Sequence, residues 1–190
     1  MVGLIKNQTC FNLVQNYQKQ TYRNRCYIYG PNGKQMLTIP VLHSKNKKKI
    51  RDNEIQISWS ENWQKRHWKS IESAYRSSPF FEFYEDELYA VFFKREEKLI
   101  EYNLSLIQCI CNFLDFPFEI KSEFEFLELS PNELLLIDAK SDNQRNTIYC
   151  QVFDNKHGFH PNLSILDLIF NMGPQSLTYL QSQSNPILSK

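Results

Sequence analysis

The string Lys19-Gln20-Thr21-Tyr22-Arg23-Asn24-Arg25 packs three cations and four hydrogen-bonding side chains into seven positions. If residues 22–29 are extended, Arg23 and Arg25 project from the same face. Two guanidiniums so placed form a fork for phosphate or carboxylate. The same string also reads as a strand edge protected by charge. His67, within Trp63-Gln64-Lys65-Arg66-His67-Trp68-Lys69, titrates near neutrality and suits acid–base work. Its helical position beside Trp63 and Ile71 equally suits a hydrogen-bonded core histidine. The expectation is that Arg23, Arg25 and His67 share one cavity that grips an anion. Asp167 is a candidate carboxylate, although Ser164-x-x-Asp167 is also a helix-capping pattern. Asn171 and Gly173 fit a helix end.

Other chemistries find little support. The five glycines form neither GxGxxG nor GxxxxGK[ST], so a phosphate-cradling glycine loop is absent. There is no GxSxG elbow. The five cysteines are Cys10, Cys26, Cys109, Cys111 and Cys150, and their odd number and spacing suit neither a disulfide framework nor a zinc site. Cys109 and Cys111 sit two apart on a helical stretch, so they face different ways. His157 and His160 have HxxH spacing, but Gly158 and Pro161 break any helix there. No metal is expected, and the residues name no cofactor. Lys+Arg of 22 against Asp+Glu of 21 gives a net charge of +1, which argues against a nucleic-acid partner. The basic run from Lys45 to Arg51 lacks interleaved aromatics and reads as a solvated loop. No apolar run is long enough to span a membrane, and residues 1–14 lack the apolar core of a signal peptide, so a cytoplasmic location is expected.

The elements that must position these residues follow from pattern. Hydrophobic residues are 42% and charged residues 23%, a globular balance. Cys26 to Tyr29, the turn Gly30-Pro31-Asn32-Gly33, and Met36 to Val41 predict a hairpin. Glu54 to Ser58 alternates as a strand does. Ser58-x-x-Glu61 predicts a cap ahead of a helix carrying Trp63, His67, Ile71, Ala74 and Tyr75, ending near Ser78-Pro79. Helices are predicted over about Phe80 to Phe93 and from Leu99 to Leu114. Phe118 to Leu129, Glu133 to Ala139 and Thr147 to Phe153 read as strands. A loop at His157 to Pro161 precedes a helix closed by Gly173, then a last helix to about Leu180. The expected architecture is α/β, a mixed sheet flanked by helices with an amino-terminal β-hairpin. The alternative is α+β with an antiparallel sheet. One domain is expected over residues 1–182, with 183–190 as a frayed tail.

Several strings together resemble the WbqC-like protein family. They are Asn16-Tyr17-x-Lys19-x-x-Tyr22-Arg23-Asn24-Arg25, Leu37-Thr38-Ile39-Pro40, Trp63 with His67-Trp68, Tyr75, and Ser78-Pro79-Phe80-Phe81. The most specific runs from Tyr149-x-Gln151-Val152-Phe153 through Gly158-Phe159-x-Pro161-Asn162-Leu163-Ser164-Ile165-Leu166-Asp167-Leu168 to Asn171-x-Gly173. The resemblance implies a cytoplasmic bacterial protein of surface-polysaccharide synthesis. It further implies aminoacyl (glycyl) transfer to an amino sugar or nucleotide sugar, with a phosphorylated or nucleotide-linked small molecule as partner. By position it nominates His67 and Asp167 as catalytic residues. It nominates Lys19, Arg23, Asn24, Arg25, Tyr75 and Asn171 as ligand-binding. Family members usually open with a strand and a Pro-x-Tyr-Leu-Pro-like segment; here the first proline is Pro31. An amino-terminal strand and helix are therefore expected to be missing, and a non-catalytic or truncated ligand-binding paralogue is the alternative function.

Overall fold

The computed structural model describes residue 17 and residues 21–42, 50–118 and 147–183. They form an α+β arrangement: an antiparallel hairpin against which a set of helices packs. Strand β1 (Arg25–Gly30) pairs with β2 (Gly33–Thr38) in a register running from Arg25↔Thr38 to Gly30↔Gly33. Pro31 presets its own φ, and Gly33 takes φ +99°, a backbone conformation that L side chains rarely adopt. The predicted hairpin is therefore present. Ile28, Tyr29 and Leu37 are its buried hydrophobic residues.

Helix α1 (Trp63–Tyr75) buries Trp63, Trp68, Ile71, Ala74 and Tyr75, which are spaced to fall on one side. Its predicted cap is not formed. Asn62 precedes the helix without a side-chain bond, Ser58 Oγ meets Ser60 Oγ at 2.9 Å, and Glu61 pairs with Arg66. Helices α2 (Phe81–Phe92) and α3 (Leu99–Phe113) match the predicted periodicities and pack on each other. Asp52–Glu54 is a 3₁₀ turn. Ile55 and Ile57 beyond it are both buried, so the alternation is real, but Gln56 and Ile57 make isolated bridges instead of a ladder. Residues 147–150 likewise join no strand among the described residues. A single turn, α4 (Asp154–His157), interrupts the loop that follows. Helix α5 (Ile165–Met172) then leads through a 3₁₀ turn, Gly173–Gln175, into α6 (Ser176–Ser182). The predicted strand runs after Phe118 lie outside the described residues, as do Lys45 to Lys49 and residues 184–190.

One aromatic core joins these elements. Trp63 meets Trp59, Phe92 and Tyr102, while Tyr75 and Phe81 both contact Phe170 of α5. Gly173 belongs to this packing. At φ +54° a Cβ there would lie 2.5 Å from Phe80 Cδ1.

Candidate functional site

The start of β1 carries the first cluster. Arg23 precedes the ladder, so neighbours other than β2 hold it. Its Nε donates to Asp52 Oδ2 at 2.7 Å, with the two side chains 15% and 9% exposed. Asn103 of α3 donates to the Arg23 carbonyl at 2.8 Å. Asn24 is buried and bonds Ile39 twice: its Nδ2 donates to the Ile39 carbonyl, and its own carbonyl accepts from the Ile39 N–H. Tyr17 lies close enough to feel Asp52, Arg25 and Arg23. Burial, then Asp52, raises its pKa against the pull of the two arginines. Burial also raises the Asp52 carboxyl, despite Arg23.

Polar atoms here exceed their partners. Asn24 Oδ1, Arg25 Nε, Thr38 Oγ1, Asp52 Oδ1 and Asn53 Oδ1 are buried with no hydrogen bond among the described residues. They belong to the segments 24–25 and 52–53 that adjoin or include the Arg23–Asp52 pair or, for Thr38, to the strand position opposite Arg25. Buried polar groups are almost always satisfied, so five together are an unusual surplus of hydrogen-bonding capacity. Arg25 also makes no ion pair with a described carboxylate.

His67 stands apart. Its ring packs against Trp63, centroids 5.3 Å apart, and no hydrogen bond, ion pair or ring contact joins it to Arg23 or Arg25 among the described residues. Burial, then the nearby Arg66 charge, lowers its pKa to about 4. It is a neutral imidazole at neutral pH. Trp63 Nε1 is buried beside it with no partner.

The third group surrounds Asp167, which is fully buried. Its Oδ2 accepts from Tyr149 at 2.6 Å and from Gln151 Nε2 at 3.0 Å. Tyr75, whose hydroxyl accepts from the Tyr29 N–H at 3.1 Å, is the polar neighbour from α1. The Asn171 side chain is spent on the Asp167 carbonyl one turn earlier, at 2.7 Å. The capping reading of Asp167 is thus corrected: Ser164 Oγ accepts from the Leu166 N–H, while the carboxylate turns inward to Tyr149 and Gln151. Asp167 and Tyr75 have no exposed surface, so neither presents its polar atoms to solvent. Lys19 lies outside the described residues.

The structure therefore brings Arg23, Asn24 and Arg25 together, brings Asp167, Tyr75 and Asn171 together, and leaves His67 in the tryptophan cluster. Sequence reasoning did not single out Asp52, Asn103 or Thr38, because nothing local marks a contact made across the fold. Tyr149-x-Gln151 carried a signal, the alternation that turns both side chains the same way. His157 and His160 serve the hairpin: His157 Nε2 lies 2.9 Å from the Pro31 carbonyl and His160 packs edge-on to Tyr29. Among the described residues no group of three His, Cys, Asp or Glu could hold a metal, and no helix is long and apolar enough to cross a membrane.

The WbqC-like protein family pattern matches residues 9–150, which include Arg23, Asn24, Arg25, His67 and Tyr75 and stop short of Asp167. A relative in Mycobacterium tuberculosis, titled uncharacterized protein Rv1507c, is 25% identical over 197 aligned residues, covering 87% of this chain and 84% of its own. No solved structure matches.

Proposed function

Because the chain belongs to the WbqC-like protein family, we propose that it binds a phosphorylated or nucleotide-linked sugar at Arg23, Asn24 and Arg25. The observation that carries this reading is the concentration of buried, unpartnered polar atoms there. Two arginines and one aspartate leave one net positive charge, which suits a single phosphate. Asn24, Thr38 and Asn53 add acceptors that suit hydroxyl and amine hydrogens. Asp52 fixes Arg23, and Arg25 is the guanidinium left to meet the anion.

The second reading is aminoacyl transfer to an amino sugar in surface-polysaccharide synthesis. The sugar amine would attack the carbonyl carbon of an activated acyl donor. The new C–N bond forms, the leaving group departs with its electron pair, and the amine proton goes to a base. The neutral His67 imidazole favours this reading, since it holds a free lone pair at neutral pH. Its low pKa makes it a weak base, and for that reason binding is the first reading.

A thermal-shift panel of glucose 1-phosphate, glucosamine 6-phosphate and UDP-N-acetylglucosamine tests the first reading. A ligand at 100 times its Kd adds about 2.7 kcal/mol of stability. Stabilisation that Arg25→Ala abolishes supports it. No shift with any of the three, or equal shifts in the variant, refutes it. Appearance of an acylated amino sugar when an acyl donor is added would promote the second reading.

A further inference from the structure

Successive residues of a strand point to opposite faces, and directly opposite partners point to the same one. Arg25, Tyr27 and Tyr29 of β1 therefore share a face with Thr38, Met36 and Lys34 of β2. The opposite face carries buried Ile28 and Leu37, and from it Gln35 bonds Ser70 of α1 at 3.0 Å. On the Arg25 face, Tyr29 is covered by Phe153 and His160, whereas Met36 and Lys34 are exposed.

The Lys34 ammonium makes no ion pair and no hydrogen bond among the described residues. Its Nζ lies over the Tyr27 ring, 4.5 Å from the centroid. Lys34 stands opposite Tyr29, so reaching Tyr27 turns it toward Arg25, the next residue on that face. Tyr27 and Arg25 are two residues apart, roughly 7 Å along the strand. Tyr27 is itself held from the β1 side. Its carbonyl accepts from the Ser164 N–H at 2.6 Å, and Tyr22 meets its ring edge-on at 6.4 Å. Asn162, at φ +55°, donates to the Tyr22 hydroxyl at 2.9 Å.

We propose that Lys34, positioned by the Tyr27 ring, is the second cation of the Arg25 site, so that the site takes a diphosphate in preference to a monophosphate.

The charge count favours it. Arg23, Arg25 and Asp52 carry one net positive charge, and Lys34 makes it two. Arg25 and Lys34 share one face, neither pairs with a described carboxylate, and Tyr27 stands between them. Ordering a free lysine on binding costs rotamer entropy. An aromatic face that already holds the ammonium lowers that cost. Thr38 Oγ1, buried without a partner opposite Arg25, is a hydroxyl able to donate to a phosphate oxygen. A lysine on an edge strand also guards against unwanted pairing, but that task needs neither an aromatic rest nor alignment with Arg25. The inference rests on the sugar-phosphate reading and narrows it to a nucleoside diphosphate or a sugar linked to one.

UMP and UDP share base and ribose and differ by one phosphate. Titration calorimetry of both, with UDP-N-acetylglucosamine alongside, on the full-length chain tests the proposal. UDP should bind about tenfold or more tighter than UMP, the worth of one charge-assisted hydrogen bond. Lys34→Ala, at an exposed position, should remove most of that preference and change UMP affinity far less. Tyr27→Phe keeps the ring and should keep the preference. Tyr27→Leu should lose part of it, together with the upfield ring-current shift of the Lys34 side-chain protons. Equal preference in the two Tyr27 variants overturns the positioning role. A wild type without preference for UDP, or a preference that Lys34→Ala leaves intact, overturns the second cation while the sugar-phosphate reading stands. If none of the three compounds binds, that reading falls and this inference with it.

Discussion

Asp52→Ala removes the carboxylate partner of the Arg23 guanidinium. In the wild type the 2.7 Å bond joins side chains only 15% and 9% exposed, so water cannot replace the lost partner. Removing one member of a buried pair costs about 3–5 kcal/mol, because a desolvated charge is left behind. Arg23 keeps other contacts, Asn103 at its carbonyl among them, so the lower figure, about 3 kcal/mol, is expected. The pair itself is worth far less than that loss. Burial raises the Asp52 carboxyl even with Arg23 beside it, so desolvation exceeds the attraction. Replacing both residues, Arg23→Met with Asp52→Leu, should therefore restore most of the stability. Urea unfolding followed by the fluorescence of Trp59, Trp63 and Trp68 measures all three variants. A single-variant loss below about 1 kcal/mol, the range of exposed pairs, would refute the buried-charge reasoning. So would a double variant as unstable as the single one.

Three further outcomes are expected. The His67 ring should titrate near 4 by NMR instead of near 6.5; a lowered histidine pKa means its stabilising contribution is whole above about 6.5 and is lost as pH falls through about 4. Gly173→Ala should lower the Tm, by the equivalent of about 1–3 kcal/mol, since the new methyl meets the Phe80 ring in a left-handed backbone. A thiol reagent on the native chain should modify exposed Cys150 well before Cys26 or Cys109, whose thiols burial pushes up to about 11 and about 12.

Helices were the most legible part of the sequence, because Leu99, Tyr102 and Ile110 repeat at the helical period and that face has a core to meet. The hairpin was legible from Gly30-Pro31-Asn32-Gly33. Residues 54–58 and 147–153 alternate as strands do, and the alternation correctly places Ile55, Ile57, Tyr149 and Gln151 inward. Burying alternate side chains does not require a ladder partner, and that is why these two stretches make isolated bridges or none among the described residues. Ser58-x-x-Glu61 failed as a cap because Glu61 found Arg66. In the candidate site, the two guanidiniums were visible as a string, whereas Asp52 and Asn103 come from turns and helices remote in sequence. His67 was read on the side of its helix that carries Trp63, against which its ring packs, and the burial that comes with that position lowers its basicity.

The central claim is that Arg25 and its neighbours hold a sugar-linked phosphate. Phosphorus NMR of UDP-N-acetylglucosamine with the full chain tests it most directly. Wild-type protein should broaden and shift the diphosphate resonances. Arg25→Ala should weaken the effect about 10- to 100-fold, the worth of a charge-assisted hydrogen bond, with Arg25→Lys between. Resonances unchanged by the wild type, or changed equally by Arg25→Ala, would contradict the claim.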